Sequence, residues 1–243
     1  SNSIYSVFIN KENIFAGNNN GEISIISKNQ LNNVKKIKIK KESILTSRIL
    51  KIIQEKEELI ICTDIGVYSY NLIRGLFKQI LPLQATKSVF IENGKLIILN
   101  NVGVYYLHSM KTESDISTMR NISKRYEKAS RFYSYCTYKG KSLFGSENTL
   151  YYEKDSLMPY PLDQALHCRM MDMKVIDSLL VIATTEKGIF FINGNKVIEN
   201  LNLERGLNSN NCSKIVPYKN ELFVATNNGI CRYNYHTKAI SRI

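Results

Sequence analysis

The chain has no tryptophan and only three histidines and four prolines among its 243 residues. Each shortage narrows the field. With His108, His167 and His236 alone, a nucleophile with a histidine beside it has few ways to be assembled. The five cysteines form no C-x-x-C and no zinc spacing, so neither a metal nor any other cofactor is expected. Cys62, Cys136 and Cys231 fall in apolar runs where cysteine serves as a small buried side chain, and the odd total argues against a disulfide framework. No apolar run approaches the roughly 18 residues of a membrane-spanning helix. No leader-like segment opens the chain, but Ser1-Asn2-Ser3 reads as a scar ahead of an excised domain, so the compartment stays open. "GKSLFG" lacks the earlier glycine of a phosphate-binding loop, and Asp172 and Asp177 lack the companions of a calcium loop. Acid is scarce as well: 21 Asp and Glu against 33 Lys and Arg give +12. Such a surface favours anionic partners, or it reflects a genome rich in Lys, Asn and Ile codons.

What the chain has in quantity is one repeated phrase. "ELFVATNNGICRY" (221–233) is an apolar run, a polar corner and a second run ending in an aromatic, the pattern of a β-hairpin. "LLVIATTEKGIFFI" from Leu179 and "ELIICTDIGVYSY" from Glu58 repeat it. Anchored on the first residue of the apolar run, the copies start at Ile14, Leu59, Leu96, Leu143, Leu180 and Leu222. Their spacing of about 40 residues is the period of propeller blades. Seven positions before each anchor stands an apolar or small residue (Val7, Ile52, Val89, Cys136, Met173, Ile215), as an inner strand and a short turn require. The polar corners contain Gly21, Gly66, Gly103, Gly188 and Gly229, and the fourth offers Asn148 for a left-handed turn. A closing strand ends most copies, as in "VKKIKIKK", "GLFKQILPL" and "KAISRI".

Four strands per copy, with almost no helical periodicity, predict an all-β fold: a β-propeller of about six four-stranded blades forming a single domain over 1–243. The blades are expected at 3–42, 43–83, 84–128, 129–165, 166–205 and 206–243. Segment 111–130 is the exception, a long fourth strand with its loop or a short helical excursion. No closing strand from the far end is evident, so the blades either close by side-chain packing alone or are a fragment of a larger propeller. In "KKIKIKK", Lys36, Lys38 and Lys40 share one face and Ile37 and Ile39 the other, the pattern of an outer edge protected by lysine.

"ERGLNSNNCSKIVPYKNELFVATNNGICRYNYHTK" (204–238) resembles the repeat of the two-component regulator propeller family of Bacteroidetes-type hybrid sensors. The resemblance rests on Gly206-Leu207-Asn208 followed by Asn210-Asn211, on "LFVAT", and on Asn228-Gly229-Ile230 leading to Arg232-Tyr233. It is partial around Thr63–Tyr70 and Thr184–Ile192, and the tryptophan common in the family's second strand is missing. It implies a periplasmic or extracytoplasmic sensor domain, joined in its parent protein to a membrane anchor and to neighbouring propeller or signalling domains. It also implies an oligosaccharide ligand, and a homodimer is a further expectation.

Candidate site residues come from the loops entering each first strand. Four positions ahead of the inner-strand residues lie Ser3, Arg48, Ala85, Phe132, Arg169 and Asn211, all expected on one rim. Arg48, Arg131, Arg169, Tyr133, His167 and Asn211 would offer guanidinium forks for a carboxylate and ring faces for a sugar. The arginines would equally serve as ion-pair partners of neighbouring loops. The first reading is therefore a non-catalytic ligand-binding sensor domain, with an acidic oligosaccharide suited to the arginines. The alternatives are a scaffold for protein partners and a polysaccharide-lyase-type enzyme using His167 and a nearby tyrosine. No nucleic acid is expected, since the lysine run has no interleaved aromatics.

Overall fold

The computed structural model describes residues 3–39, 47–81, 85–107, 122–128 and 130–243. Among them, regular structure is strand apart from one 3-10 turn at Leu203–Arg205. The chain divides into two compact units, Ser1–Glu127 and Lys128–Ile243. The first holds three blades: β1 (Ile4–Ile9), β2 (Asn13–Asn18), β3 (Glu22–Ser27) and β4 (Val34–Lys38); β5 (Ile49–Glu55), β6 (Glu58–Thr63), β7 (Gly66–Asn71) and β8 (Phe77–Leu81); β9 (Thr86–Glu92), β10 (Lys95–Asn100), β11 (Gly103–Leu107) and β12 (Ile122–Glu127). The second holds β13 (Phe132–Tyr138), β14 (Lys141–Ser146), β15 (Leu150–Glu153) and β16 (Leu157–Pro159); β17 (Met170–Ile176), β18 (Leu179–Thr184), β19 (Ile189–Asn193) and β20 (Lys196–Leu201); β21 (Cys212–Tyr218), β22 (Glu221–Thr226), β23 (Gly229–Asn234) and β24 (Ile240–Arg242). Every sheet is a four-stranded meander in chain order. The chain is an all-β β-propeller with six four-stranded blades. β12 ends the exceptional segment as a fourth strand, whereas 108–121, with His108, lies outside the described residues.

Alternation within the second strand of each blade explains how blades stack. Leu59 and Ile61 of β6 join Phe15, Ile23 and Ile49 against the first blade. Ile60 and Cys62 point the other way, joining Val89, Leu96 and Tyr105 of the third. A strand buried on both faces reads as a continuous apolar run, which is why the "ELIICT" type of phrase recurs. Each such side chain, removed from water, contributes about 1.5–3 kcal/mol. In the first and fourth blades the second strand carries a glycine where the next blade packs closely against it. A Cβ on Gly17 would overlap the Ile49 side chain, and one on Gly145 would overlap Ser134 Oγ and Met170.

Two features recur in all six blades. The first strand carries a β-bulge just after its first residue, as at Tyr133 between the Phe132–Ser146 and Ser134–Gly145 pairs. The last residue of the second strand is Asn, Thr or Ser, and its side chain builds the corner to the third. Thr63 Oγ1 donates to the Gly66 carbonyl at 2.9 Å, Thr184 to that of Gly188 at 2.8 Å, and Ser146 to that of Thr149 at 2.7 Å. Asn18 Oδ1 accepts the amides of Asn20 and Glu22 at 2.8 and 3.0 Å.

These corners correct two expectations. Asn148 and Gly103 do not take left-handed φ, although Gly21 and Gly188 do. In the fourth blade the Ser146 hydroxyl satisfies the corner amides, so no left-handed residue is needed. The fourth anchor is also displaced by one residue. Ser146 pairs with Phe132 as Thr63 pairs with Ile49, so Ser142 is the counterpart of Leu59, and Tyr135, not Cys136, that of Ile52. Leu143 therefore packs against the following blade with Leu180 and Met173. The lysine run behaves as expected where it is described: Ile37 and Ile39 are buried, and Lys36 and Lys38 are exposed. Lys40 lies outside the described residues. All five cysteines are free thiols, and burial pushes Cys62 and Cys212 up to about 12, far from any thiolate at neutral pH.

Candidate functional site

Antiparallel pairing puts the start of each first strand beside the end of the second, so one end of every blade collects the residue before the first strand, the bulge residue and the corner. This leading corner is where the sequence places the arginines. The carbonyl of the residue before the first strand accepts the amide of the first corner residue: Asp64 to Arg48 at 3.3 Å, Thr185 to Arg169 at 3.1 Å, Asn227 to Asn211 at 3.2 Å. By the corrected register, Arg131 and not Phe132 holds that position in the fourth blade; Phe132 opens the strand and is fully buried.

In the second unit three predicted residues come together. Arg131 Nη1 and Arg169 Nη2 reach the same oxygen, Glu147 Oε1, at 3.5 and 3.3 Å. The Arg169 guanidinium carbon lies 5.1 Å from the centre of the Tyr133 ring, in cation–π range. Tyr133 is the bulge residue, and the bulge turns its side chain towards the corner. Arg169 Nε is buried with no acceptor among the described residues. Two cations thus share one carboxylate, a surplus of positive charge beside an aromatic face. That arrangement can take a second carboxylate or a sulfate.

The other predicted residues stand apart from this cluster. His167 is exposed in a left-handed conformation (φ 43°), with no hydrogen bond or ion pair for its ring among the described residues. Asn211 is exposed at the corner of the sixth blade, its amide donated to Ser209 Oγ at 3.0 Å. Arg48 belongs to the first unit, where both Asp64 oxygens are engaged. Oδ1 accepts the Arg48 amide at 3.0 Å and Oδ2 accepts Nε at 2.9 Å. The Asp64 hydrogen bond and charge raise the Arg48 guanidinium above its ordinary value, and the Tyr5 hydroxyl adds to the effect.

Sequence reasoning missed the acids. Glu147 and Asp64 are first corner residues, and their signal was an acid directly after the last residue of the second strand, in "SENT" and "TDIG". Asp172 was missed as well. It is buried on β17, its Oδ2 accepting the Ile215 amide at 3.1 Å and pairing with Lys214 at 3.2 Å, which ties the first strands of the fifth and sixth blades together. Among the described residues no group of three or more His, Cys, Asp or Glu could hold a metal ion, and no helix is long and apolar enough to cross a membrane.

No family model matches the chain, and no curated protein matches it. Solved structures do. PorZ, an essential bacterial surface component of the type-IX secretion system of Porphyromonas gingivalis, is 12% identical with a TM-score of 0.73. The match covers 96% of this chain and 38% of that one, so the chain spans well under half of PorZ. The computationally designed protein Ika8 is 11% identical with a TM-score of 0.65, over 99% of this chain and 86% of its own. The extracellular domain of BT4673 from B. thetaiotaomicron is 16% identical over 99% of this chain and 49% of that one, with a TM-score of 0.40, too loose to bear an argument. At these identities the likeness to PorZ and Ika8 is one of fold.

Proposed function

We propose that the chain is a non-catalytic ligand-binding propeller of an extracytoplasmic sensor of the two-component regulator type. It takes an oligosaccharide bearing a carboxylate or sulfate at the leading corner of its fourth and fifth blades. The observation that carries this reading is the convergence of Arg131 and Arg169 on one oxygen of Glu147 beside the Tyr133 ring. An anion would replace or join Glu147 on the Arg169 fork while a sugar face stacks on Tyr133. The sensor context comes from the resemblance of 204–238 to that family. The signal passes outward as altered packing between propellers or subunits, since the sequence of the blades carries no hinge signal.

The test is a thermal-shift screen with acidic oligosaccharides, neutral oligosaccharides and a DNA duplex at low and moderate salt. A saturable shift for an acidic glycan that survives added salt and is lost in Arg169→Gln supports the site. No shift, or one shared by every polyanion and abolished by salt, overturns it in favour of a protein-binding scaffold. That second reading is favoured by Glu147 itself, which already gives both arginines an internal partner.

A further inference from the structure

The second unit also holds a groove that takes no part in the leading corners. It lies between the fifth and sixth blades and has a volume of about 680 Å³. Its lining is Ile198, Glu199 and Leu201 of β20, Arg205 of the 3-10 turn that follows, Tyr233 of β23, and Lys238 of the turn from β23 to β24. The connections between blades explain why it is open. After β16 the chain folds Tyr160 back into the core with Leu162 packed beside it, and the Tyr160 hydroxyl donates to the Gly194 carbonyl at 3.1 Å. After β20 the turn carries Leu203, Glu204 and Arg205 outward, and none of the three is buried.

The groove has an apolar floor and a cationic rim. Leu201 and Tyr233 are buried, and Ile198 stands exposed beside them. Glu199 is its acid, and both carboxylate oxygens are taken: Oε1 accepts the Tyr233 hydroxyl and Oε2 accepts Lys238 Nζ, each at 2.6 Å. Lys238 Nζ lies 5.8 Å from the centre of the Tyr233 ring and 5.9 Å from that of Phe191, in cation–π range. Lys238 keeps N–H donors beyond the one that Glu199 takes, and the Arg205 guanidinium has no acceptor among the described residues. Burial works to raise the Glu199 carboxyl, whereas the hydrogen bonds of Lys238 and Tyr233 and the charges of Lys238 and Arg205 hold it below the ordinary carboxylate range. Arg205 thus stands near Glu199 without pairing with it. The turn is held from both ends: the Arg205 amide donates to Asn202 Oδ1 at 3.2 Å, the Leu203 amide donates to Asn210 Oδ1 at 2.8 Å, and Gly206 closes it at φ 101°, where a Cβ would strike Ile240 Cγ2.

We infer that this groove binds a carboxylate carried on a small apolar body, either a free acid or the C-terminal residue of a peptide. The carboxylate meets the Arg205 fork and the remaining donors of Lys238, while the apolar body lies on Ile198, Leu201 and the Tyr233 ring. Repulsion from Glu199 is offset, because Tyr233 and Lys238 engage both of its oxygens and the two cations outnumber the one acid. The site shares no residue with the cluster of Arg131, Arg169 and Glu147, and it stands whether or not that cluster takes an anion. An amide in place of the carboxylate loses the charge that the fork holds, and a bare anion loses the apolar wall. A ligand of about ten non-hydrogen atoms should bind with a dissociation constant of about 0.3–5 mM.

A backbone-amide NMR titration tests it with phenylacetate and the peptide Ala-Ala-Phe, each beside its amidated form, and with sodium acetate. Both acids should shift the amides of 198–205 and 233–238 saturably, and the amidated forms and acetate should bind at least about tenfold more weakly. Arg205→Gln should weaken binding of the acids at least about tenfold, whereas Arg242→Gln, at an exposed arginine of the sixth blade, should change it less than about twofold. Arg205 is exposed, so an unchanged Tm verifies that its variant folds. The tighter of the two acids assigns the source, a free acid or a chain end. Four results would each overturn the groove site: no saturable shift up to about 20 mM, amidated forms that bind as tightly as the acids, a loss no greater in Arg205→Gln than in Arg242→Gln, or shifts centred on Tyr133 and Glu147 instead.

Discussion

The leading corners of the second and fifth blades hold the same pieces and use them differently. Each has an arginine before its first strand, and each arginine meets the bulge tyrosine of the blade before, Arg48 with Tyr5 and Arg169 with Tyr133. Arg48 turns to the acid of its own corner, and both Asp64 oxygens hold it, one through its backbone and one through its side chain. Thr185 replaces that acid in the fifth blade, so Arg169 reaches back to Glu147, which Arg131 already shares. One corner is neutralised by its own blade, and the other keeps an excess of cation. A single side chain in the corner therefore decides whether a blade end is structural or available to an anion.

The largest expected effect in this comparison is on stability. Gly145→Val forces side-chain atoms into Ser134 and Met170 directly below the Arg169 corner and should cost about 3 kcal/mol in urea unfolding. Gly17→Val makes the matching overlap with Ile49 in the first unit, at a similar cost. A Gly145→Val chain that unfolds like the native one would show that the fourth and fifth blades do not hold their corner in place. Next comes ligand affinity by titration calorimetry. Arg169→Gln should weaken binding of an acidic oligosaccharide at least about tenfold, whereas Arg48→Gln should change it less than about twofold. Equal losses would erase the distinction between the corners.

Asp64→Ala is smaller still. Arg48 is half exposed, so removing its partner should lower stability by no more than about 1 kcal/mol. It should also leave an Arg48–Tyr5 corner with a surplus charge, visible as a second, weaker anion site. The smallest effect lies in acid. Burial alone would raise the Glu199 carboxyl, but hydrogen bonds from Lys238 and Tyr233, each 2.6 Å long, hold it below the ordinary carboxylate range. A depressed folded value stabilises the protein above the unfolded carboxyl's pKa, near 4.3, and that stability is lost as pH falls through the folded value. Glu199→Gln should flatten this part of the stability profile, with no change at neutral pH in the contrast between the two corners.

The blades were legible because their second strands appear as apolar runs between polar corners, and those of the second to fifth blades are buried on both faces. Legibility failed where one residue of register mattered. Leu143 looks like the anchor of its blade, but Ser142 holds that position, and nothing in an apolar run marks which face a residue takes. Each arginine could be placed at the leading corner of its own blade from spacing, since strand pairing fixes that corner. Their partners could not. Whether Arg169 turns to its own corner or to the preceding one depends on how consecutive blades stack, and an acid in "SENT" looks like any solvated turn residue. The bulge that turns Tyr133 into the corner has no sequence signature either, because Tyr5, Leu50, Lys87, Met171 and Ser213 occupy the same position in the other blades.

The most direct test of the account is the affinity of Glu147→Gln for an acidic oligosaccharide, measured by calorimetry beside the native chain at moderate salt. If Arg131 and Arg169 form an anion site that Glu147 occupies in part, neutralising Glu147 should tighten binding by about threefold to tenfold, and adding Arg169→Gln should abolish the gain. Unchanged or weaker binding in Glu147→Gln would contradict it and leave the cluster as a structural ion pair.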